Sequence, residues 1–236
     1  FNAAVSTIQH QGVIVVEDCT QCLYSNFARS AADYYVGSIR KWSGVPDGGF
    51  AVCREGIFEN KPECTDKALE IAKRVASELK YDYMFREKDC KPASKQRYRE
   101  AEHILDMQST YYQISELSAL IQTNIDPAKL SKARRDNYIF LEQGLASIEG
   151  ISLVFKSIPR DVVPLYMPIL VSERDEFQSN LADNAVYAPV VWPKADCCPP
   201  VCAAADELYK HLLCIPIDQR YGVDDMQRIL NILRQR

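Results

Sequence analysis

A run of four β-branched residues, Val13-Ile14-Val15-Val16, is the feature that most limits the folds open to this chain. Such runs are typical of parallel strands that are buried on both faces in α/β proteins. The run ends in Glu17-Asp18, and open α/β sheets place their ligand-binding groups at the carboxyl ends of strands. The sequence therefore predicts an α/β fold with a polar site immediately after this strand.

The pattern that follows predicts two further strands and then a helical region. The strands are expected at 33–38 and 49–53, and the charge-rich region from about residue 64 to 145 has helical periodicity. Asp126 is a suitable N-cap for a helix whose first residue is Pro127. The predicted helices cover 68–80, 115–123 and 127–147, with 86–100 as a connector running into a helix.

The last third alternates short strands with helices, which predicts a small C-terminal α/β domain. Gly150 marks its boundary, so we predict two domains, 1–149 and 150–236. Residues 194–201, which include Pro199-Pro200, are expected to form a loop. The predicted strands are 151–155, 165–171, 186–191 and 213–217, and the helices are 174–183, 203–211 and 223–234.

Composition argues against several classes of protein. The 236 residues include 28 Lys and Arg against 32 Asp and Glu, a net charge of -4, which gives no electrostatic support for nucleic-acid binding. No stretch approaches the roughly 18 apolar residues of a membrane-spanning helix, and the first residues lack the features of a signal peptide. We therefore expect a cytoplasmic protein that binds neither nucleic acid nor a membrane.

Nine cysteines are present, and their odd number argues against a disulfide scaffold. Cys19 and Cys22 form a CxxC pair that, with Cys197-Cys198 and Cys202, has the residue types of a zinc or redox site. A second CxxC is missing, and the first lies in a turn that the neighbouring motifs explain. We therefore predict no metal site and keep a cysteine metal site as an alternative.

Three segments in the first quarter of the chain combine into a candidate site for an anionic cofactor. They are "VIVVEDCTQ" with Asp18, "GSIRKW" with Ser38 and Lys41, and "PDGGFAV" with Gly48-Gly49. An acid at a strand end, a serine and lysine on the next turn and a glycine pair before another strand are suited to this task.

These segments resemble the strand, lysine loop and glycine turn of the DegT/DnrJ/EryC1/StrS aminotransferase family. The resemblance continues through "KARRDNYIFLEQGLASIEGI", "VPLYMPILVSERDEFQSNLADNAVYAPVVWP" and "LLCIPIDQRYGVDDMQRILNIL", and only about 54–110 fits poorly. It implies the α/β architecture of fold-type-I pyridoxal phosphate enzymes. Residues 1–149 would then be the C-terminal part of the cofactor-binding large domain, with a mixed or parallel sheet and a helical connector. Residues 150–236 would be the small C-terminal domain.

The resemblance also implies roles for four residues. Lys41 would be catalytic, holding pyridoxal 5'-phosphate as a Schiff base and later moving the proton between the substrate carbon and the cofactor. Its amine is nucleophilic when neutral, which a neighbouring cation such as Arg40 favours. Asp18 would pair with the pyridine nitrogen, Gln21 would lie beside the ring, and Ser38 would bind the phosphate. Taken singly, Lys41 could also be a surface lysine, Asp18 a helix cap and Ser38 a turn-forming residue.

The implied reaction is transamination from glutamate to a keto group of a nucleotide-linked sugar or a similar acceptor, in a homodimer. The chain departs from the usual pattern in having Ser-Ile-Arg-Lys-Trp and Pro-Asp-Gly-Gly where the family carries Ser-Phe before Lys-Asn and Gly-Glu-Gly-Gly. These differences bear on the substrate more than on the cofactor. Other pyridoxal phosphate reactions, such as elimination, and a noncatalytic module are the remaining alternatives.

The early large domain of fold type I supplies a phosphate-binding turn and an aromatic residue that stacks on the ring. Neither precedes Phe1 in this sequence. We therefore expect these residues to be the C-terminal portion of a longer enzyme.

Overall fold

The protein is described by a computed structural model over residues 2–25, 32–195, 197, 199 and 202–235. These residues form two compact units, one of 2–23 and 32–125, the other of 24–25 and 126–235. The long helix that begins at Pro127 packs within the second unit, whereas the predicted domain 1–149 includes it. The boundary at residue 150 stays a prediction.

A three-stranded mixed sheet lies in the first unit. Strands β1 (Val16–Asp18) and β2 (Tyr34–Ser38) are parallel, as the sequence predicts, and β3 (Gly49–Cys53) is antiparallel to β2. Helix α1 (Asn2–Gln9) precedes the sheet. The carboxyl ends of β1 and β2 therefore lie at the same edge.

The β-branched run before β1 is a shorter and more exposed strand than the sequence predicts. The Val15 N–H donates to Asp33 Oδ2 at 2.8 Å rather than to a strand carbonyl, so the strand begins only at Val16. β1 is an edge strand of this sheet, and the side chains of Val13, Ile14 and Val16 are exposed. The expectation of a strand buried on both faces is therefore wrong within the described residues.

The charge-rich region forms a pair of packed helices, α2 (Lys67–Phe85) and α3 (Lys91–Asp106). Asp66 caps α2 by accepting a hydrogen bond from the Leu69 N–H at 3.0 Å. Most of the predicted connector at 86–100 is helical, because its polar residues occupy the outer face of α3.

The two ends of this helical pair meet. The Gln113 N–H donates to the Cys64 carbonyl at 2.8 Å, and Thr65 forms a parallel bridge with Gln113. Residues 66–112 therefore begin and end at adjacent points, and helix α4 (Glu116–Thr123) follows.

The second unit is built around an antiparallel sheet with four helices among its described residues. Asp126 caps the first helix, as predicted, by accepting from the Ala128 and Lys129 N–H groups at 3.0 and 3.1 Å. The strands are β4 (Ile151–Leu153), β5 (Tyr166–Val171) and β6 (Leu212–Pro216), and the helices are α5 (Pro127–Leu145), α6 (Arg174–Asp183), α7 (Ala203–His211) and α8 (Val223–Arg234).

Helix α8 shows how this core is held. Met226, Ile229, Leu230 and Leu233 lie on one helical face and are buried against α5 and the sheet. Burial of each such side chain contributes roughly 1.5–3 kcal/mol. Among the described residues, no helix combines the length and apolar character needed to cross a membrane.

One predicted strand, 186–191, does not form. The Val186 N–H donates to the Leu181 carbonyl at the end of α6, and Pro189 has no N–H with which to continue a ladder. The segment contacts β6 through the hydrogen bond from the Cys214 N–H to the Pro189 carbonyl at 3.1 Å, without forming a ladder. Burial of alternate residues along it explains why the sequence resembles a strand.

Candidate cofactor site

Two of the predicted site residues lie where β1 ends: Asp18 is its last residue and Gln21 is in the turn that follows, and both are exposed. The Thr20 N–H donates to Asp18 Oδ1 at 2.8 Å, and the Cys22 N–H donates to the Cys19 carbonyl at 3.1 Å. The alternative reading of Asp18 as a helix cap is wrong, because a turn follows β1. The acid instead orders this turn and keeps its carboxylate at the open edge of the sheet.

Thr20 connects this turn to the lysine loop, and sequence reasoning missed it. Its Oγ1 accepts a hydrogen bond from the Ser38 N–H at 3.1 Å, at the end of β2. Its carbonyl accepts from Trp42 Nε1 at 2.6 Å, and Trp42 is only 1% exposed. Lys41 lies between these two contacts, in the 3₁₀ turn Ile39–Lys41.

The sheet register brings the predicted residues to one edge. Asp18 is paired with Val36 on the neighbouring parallel strand, and Ser38 lies two residues further along. Since side chains alternate along a strand, Asp18 and Ser38 project from the same face. Lys41 follows within one turn and is exposed, and Gln21 lies in the turn joined to β2 through Thr20.

The Ser38 hydroxyl is the clearest sign of a binding site. Its oxygen is buried, and no hydrogen-bond partner for it lies in the part of the chain that the structure describes. A buried polar group without a partner costs roughly 1–3 kcal/mol. A polar ligand group at this position would remove that cost, so the loop fits the phosphate of the cofactor that the resemblance implies.

Glycines allow the "PDGGFAV" segment, which leads into β3, to pack against β2. Gly48 has a φ of +113°, a conformation that residues with a side chain rarely adopt. In β2 itself, a Cβ at Gly37 would lie 2.6 Å from the ring of Phe50 on β3. Backbone geometry and close strand packing therefore explain these glycines without a ligand.

Asp47, in the Pro-Asp-Gly-Gly segment, has a structural role. It is 8% exposed, and its carboxylate accepts hydrogen bonds from the N–H and the O–H of Ser115, at 3.1 and 2.8 Å. Its own N–H donates to Ser118 Oγ at 3.3 Å. The glycine turn is thereby attached to the first turn of α4, where Ser115 is the N-cap.

A carboxylate from α3 faces the lysine loop. Glu102 bonds to the buried Lys73 and lies 3.9 Å from Arg40 Nη1. Burial raises the pKa of the Glu102 carboxyl, but Lys73, Arg40 and Lys41 outweigh burial and hold that pKa below its usual value. The charge of Arg40, the neighbouring cation considered from the sequence, is therefore partly balanced.

The cysteines cluster differently from the zinc site considered above. Within the described residues, the thiols of Cys19 and Cys22 lie with the carboxylate of Glu17, all donor atoms being within 4.8 Å of one another. Cys198 lies outside the described residues, as do positions 196, 200 and 201 of the predicted loop.

Several solved structures have a similar fold. A DegT DnrJ EryC1 StrS aminotransferase from Brucella abortus is 12% identical with a TM-score of 0.60, covering 100% of this chain and 60% of that one. The sugar aminotransferase CalS13 from Micromonospora echinospora is 19% identical with a TM-score of 0.55, and the match covers 94% of this chain and 58% of CalS13. DesI, solved in the presence of its TDP-sugar product, is 16% identical with a TM-score of 0.58, and the match covers 98% of this chain and 57% of DesI.

The chain thus has part of the α/β architecture of the fold-type-I pyridoxal phosphate transferases, as the resemblance implied, and spans about 60% of the length of these structures. The model of the DegT/DnrJ/EryC1/StrS aminotransferase family matches residues 2–234, and the chain belongs to that family. A comparison with curated proteins gave no match.

Proposed function

We propose that the complete enzyme is a pyridoxal-phosphate-dependent aminotransferase and that Lys41 is its catalytic lysine. The observation that carries the proposal is the buried Ser38 hydroxyl, which has no hydrogen-bond partner among the described residues and lies three residues before an exposed lysine. Asp18 lies on the same face of the neighbouring strand, and the family match covers all of these positions.

Each residue has a task that its position supports. Ser38 Oγ would donate to the cofactor phosphate. The Asp18 carboxylate, fixed by the Thr20 N–H at 2.8 Å, would accept from the protonated pyridine nitrogen, and Gln21 would lie beside the ring. When bound, pyridoxal phosphate supplies an electron sink for the electrons of a breaking C–H bond.

Lys41 would carry the proton. Its Nζ must be neutral to accept a proton from the substrate carbon and charged to return it. The Glu102 carboxylate is close enough to interact with the charges of Lys41 and Arg40. Trp42 holds the loop in place through Thr20, which keeps the amine at one position during both transfers.

For the substrates, we propose glutamate as amino donor and a keto group on a nucleotide-linked sugar, or a similar acceptor, as the recipient. The similarity to CalS13 and to DesI with its TDP-sugar product supports a sugar. A homodimer and a cytoplasmic location belong to the same proposal.

Cofactor binding is tested by adding pyridoxal phosphate to the complete enzyme. We expect a visible absorbance band that borohydride removes, leaving a covalent adduct on the peptide that contains Lys41. The Lys41→Ala variant should lose both signals, while Lys61→Ala, which changes an exposed lysine in a loop of the same unit, should keep them. A band or adduct that persists in Lys41→Ala would contradict the assignment.

Transfer is tested with nitrogen-labelled glutamate and a nucleotide-linked keto sugar. Appearance of the label in an amino sugar supports the proposal. A normal cofactor band without transfer to any keto acceptor would favour an elimination or another amino-acid reaction.

A further inference from the structure

The face of β1 opposite Asp18 carries a second cluster of reactive groups. Glu17 and Cys19 flank Asp18 in the strand direction, so their side chains share the other face of the sheet. The backbone hydrogen bond from the Cys22 N–H to the Cys19 carbonyl closes a turn. This turn brings the Cys22 side chain beside Glu17 and Cys19. The three donor atoms lie within 4.8 Å of one another.

The separations are close to those of a metal centre. Zn²⁺ binds thiolate sulfur at about 2.3 Å and carboxylate oxygen at about 2.0–2.2 Å, so tetrahedral ligands are roughly 3.3–3.8 Å apart. Contraction of the cluster by about 1 Å, within the reach of side-chain rotation, would complete this geometry. Cys19 is 1% exposed, whereas Glu17 and Cys22 are only partly buried, which leaves a fourth position open to water.

The donor set selects the kind of ion. Two thiolates favour a soft or borderline metal, whereas Mg²⁺ and Ca²⁺ prefer oxygen ligands alone. Iron–sulfur clusters are usually held by four cysteines, more than this cluster contains. Cys-x-x-Cys is also the spacing with which zinc sites commonly begin.

We infer that Glu17, Cys19 and Cys22 form a binding site for one Zn²⁺ ion, with water as the fourth ligand. This revises the expectation of no metal site. The inference does not depend on the proposed aminotransferase function, because it concerns the opposite face of the strand and is measured without turnover.

A bound ion would act on the turn that carries the cofactor residues. Cys19 and Cys22 bracket Thr20 and Gln21, so one ion would fix both ends of that turn. Thr20 would then keep its contacts with Ser38 and Trp42. Binding to the folded state alone should raise the temperature of unfolding.

The test measures zinc in the complete protein, purified and kept reduced with a phosphine. Elemental analysis after titration with Zn²⁺ and dialysis should give one ion per chain, and Zn²⁺ should raise the unfolding temperature. Cys22→Ser should weaken binding by more than the roughly 10–100-fold that loss of an outer-shell partner costs. Glu17→Gln should weaken it as well.

Cys53→Ser is the matched control, because this partly buried thiol lies in the same sheet, on β3, and outside the cluster. It should bind zinc as the parent protein does. Cys22 is chosen over Cys19 because substitution of a half-buried residue leaves the fold intact more readily, and circular dichroism checks this.

Several results would overturn the inference. They are the absence of bound zinc in the reduced parent protein, full binding in Cys22→Ser, and unchanged affinity in Glu17→Gln. A Cys19–Cys22 disulfide that, once reduced, leaves thiols unable to bind zinc would identify a redox pair instead.

Discussion

Trp42 Nε1 lies 2.6 Å from the carbonyl oxygen of Thr20 and donates a hydrogen bond to it. The tryptophan follows Lys41 directly, and the threonine is two residues after Asp18. One contact therefore sets the distance between the segment of the predicted catalytic lysine and that of the predicted acid. Since Trp42 is almost fully buried, neither segment can move without disturbing the core of the first unit.

Replacement of this indole should loosen the lysine loop. Trp42→Phe leaves the Thr20 carbonyl without its donor and opens space in the core, so we expect a loss of about 2–4 kcal/mol in the free energy of unfolding. Denaturant unfolding measures the loss, and a cofactor titration should show weaker binding. Trp192, the other tryptophan of the chain, is 70% exposed, so Trp192→Phe should alter neither the unfolding free energy nor cofactor binding. Equal effects of the two changes would contradict the prediction.

Thr20 offers a finer test of the same connection. Thr20→Val keeps the shape of the side chain but removes the oxygen that accepts from the Ser38 N–H, at a cost of about 1–3 kcal/mol. Thr20→Ser keeps that acceptor and should stay close to the parent protein. Cofactor affinity and unfolding free energy should fall together in the valine variant; a serine variant as impaired as the valine one would show that the methyl group matters instead.

The carboxylate on α3 should be needed for both stability and the lysine loop. Glu102→Gln leaves Lys73, only 6% exposed, without its counter-charge, and we expect a loss of about 1 kcal/mol or more in unfolding free energy. Asp106→Asn changes an exposed carboxylate at the end of the same helix and is the control. Denaturant unfolding measures the loss, and a cofactor titration checks the lysine loop; effects of the same size in Asp106→Asn would contradict the prediction.

In the second unit, Asp218 should make stability depend on pH. Burial raises the pKa of its carboxyl, but hydrogen bonds and charge from Arg220, with Arg134, outweigh burial and hold that pKa below its usual value. A carboxyl with a lower pKa in the folded state stabilises the protein above its unfolded pKa of about 3.9. This contribution is lost as the pH falls through the folded pKa.

Urea unfolding of Asp218→Asn between about pH 6 and about pH 2 checks this dependence. The variant should be less stable than the parent at the upper end of this range, and the difference should vanish at the lower end. Asp183→Asn, which changes an exposed carboxylate of the same unit, should follow the parent throughout. A difference for Asp218→Asn that is constant with pH would contradict the assigned charge.

The features that could be predicted from the sequence are those that depend on residues close together in the chain. Asp126 with Pro127 gave the start of α5, and Ser115 stands at the start of α4, because capping involves N–H groups only two or three residues away. The strand expected at 186–191 failed for a local reason as well, since Pro189 cannot donate to a ladder. Its alternating burial comes from tertiary packing and imitates a strand.

The residues of the candidate site could be proposed from the sequence, whereas the hydrogen bonds that connect them could not. Asp18, Ser38 and Lys41 fall in segments with a recognisable family pattern. Thr20 lacks such a signal, because its hydrogen bonds reach 18 and 22 residues along the chain. Glu102 lies 62 residues from Arg40, on a helix in the region where the quoted family motifs give no guidance, so only the structure relates it to the lysine loop.

The backbone contact between Cys64 and Gln113 gives residues 66–112 the properties of an exchangeable insert. Because both ends leave the first unit at the same place, this segment can change in length without stretching the chain on either side. The attachment of Asp47 to Ser115 lies outside the insert and would survive such a change. The hairpin can therefore vary in length while the glycine turn keeps its position, but a short linker in its place would also remove Glu102 and its contact with Arg40.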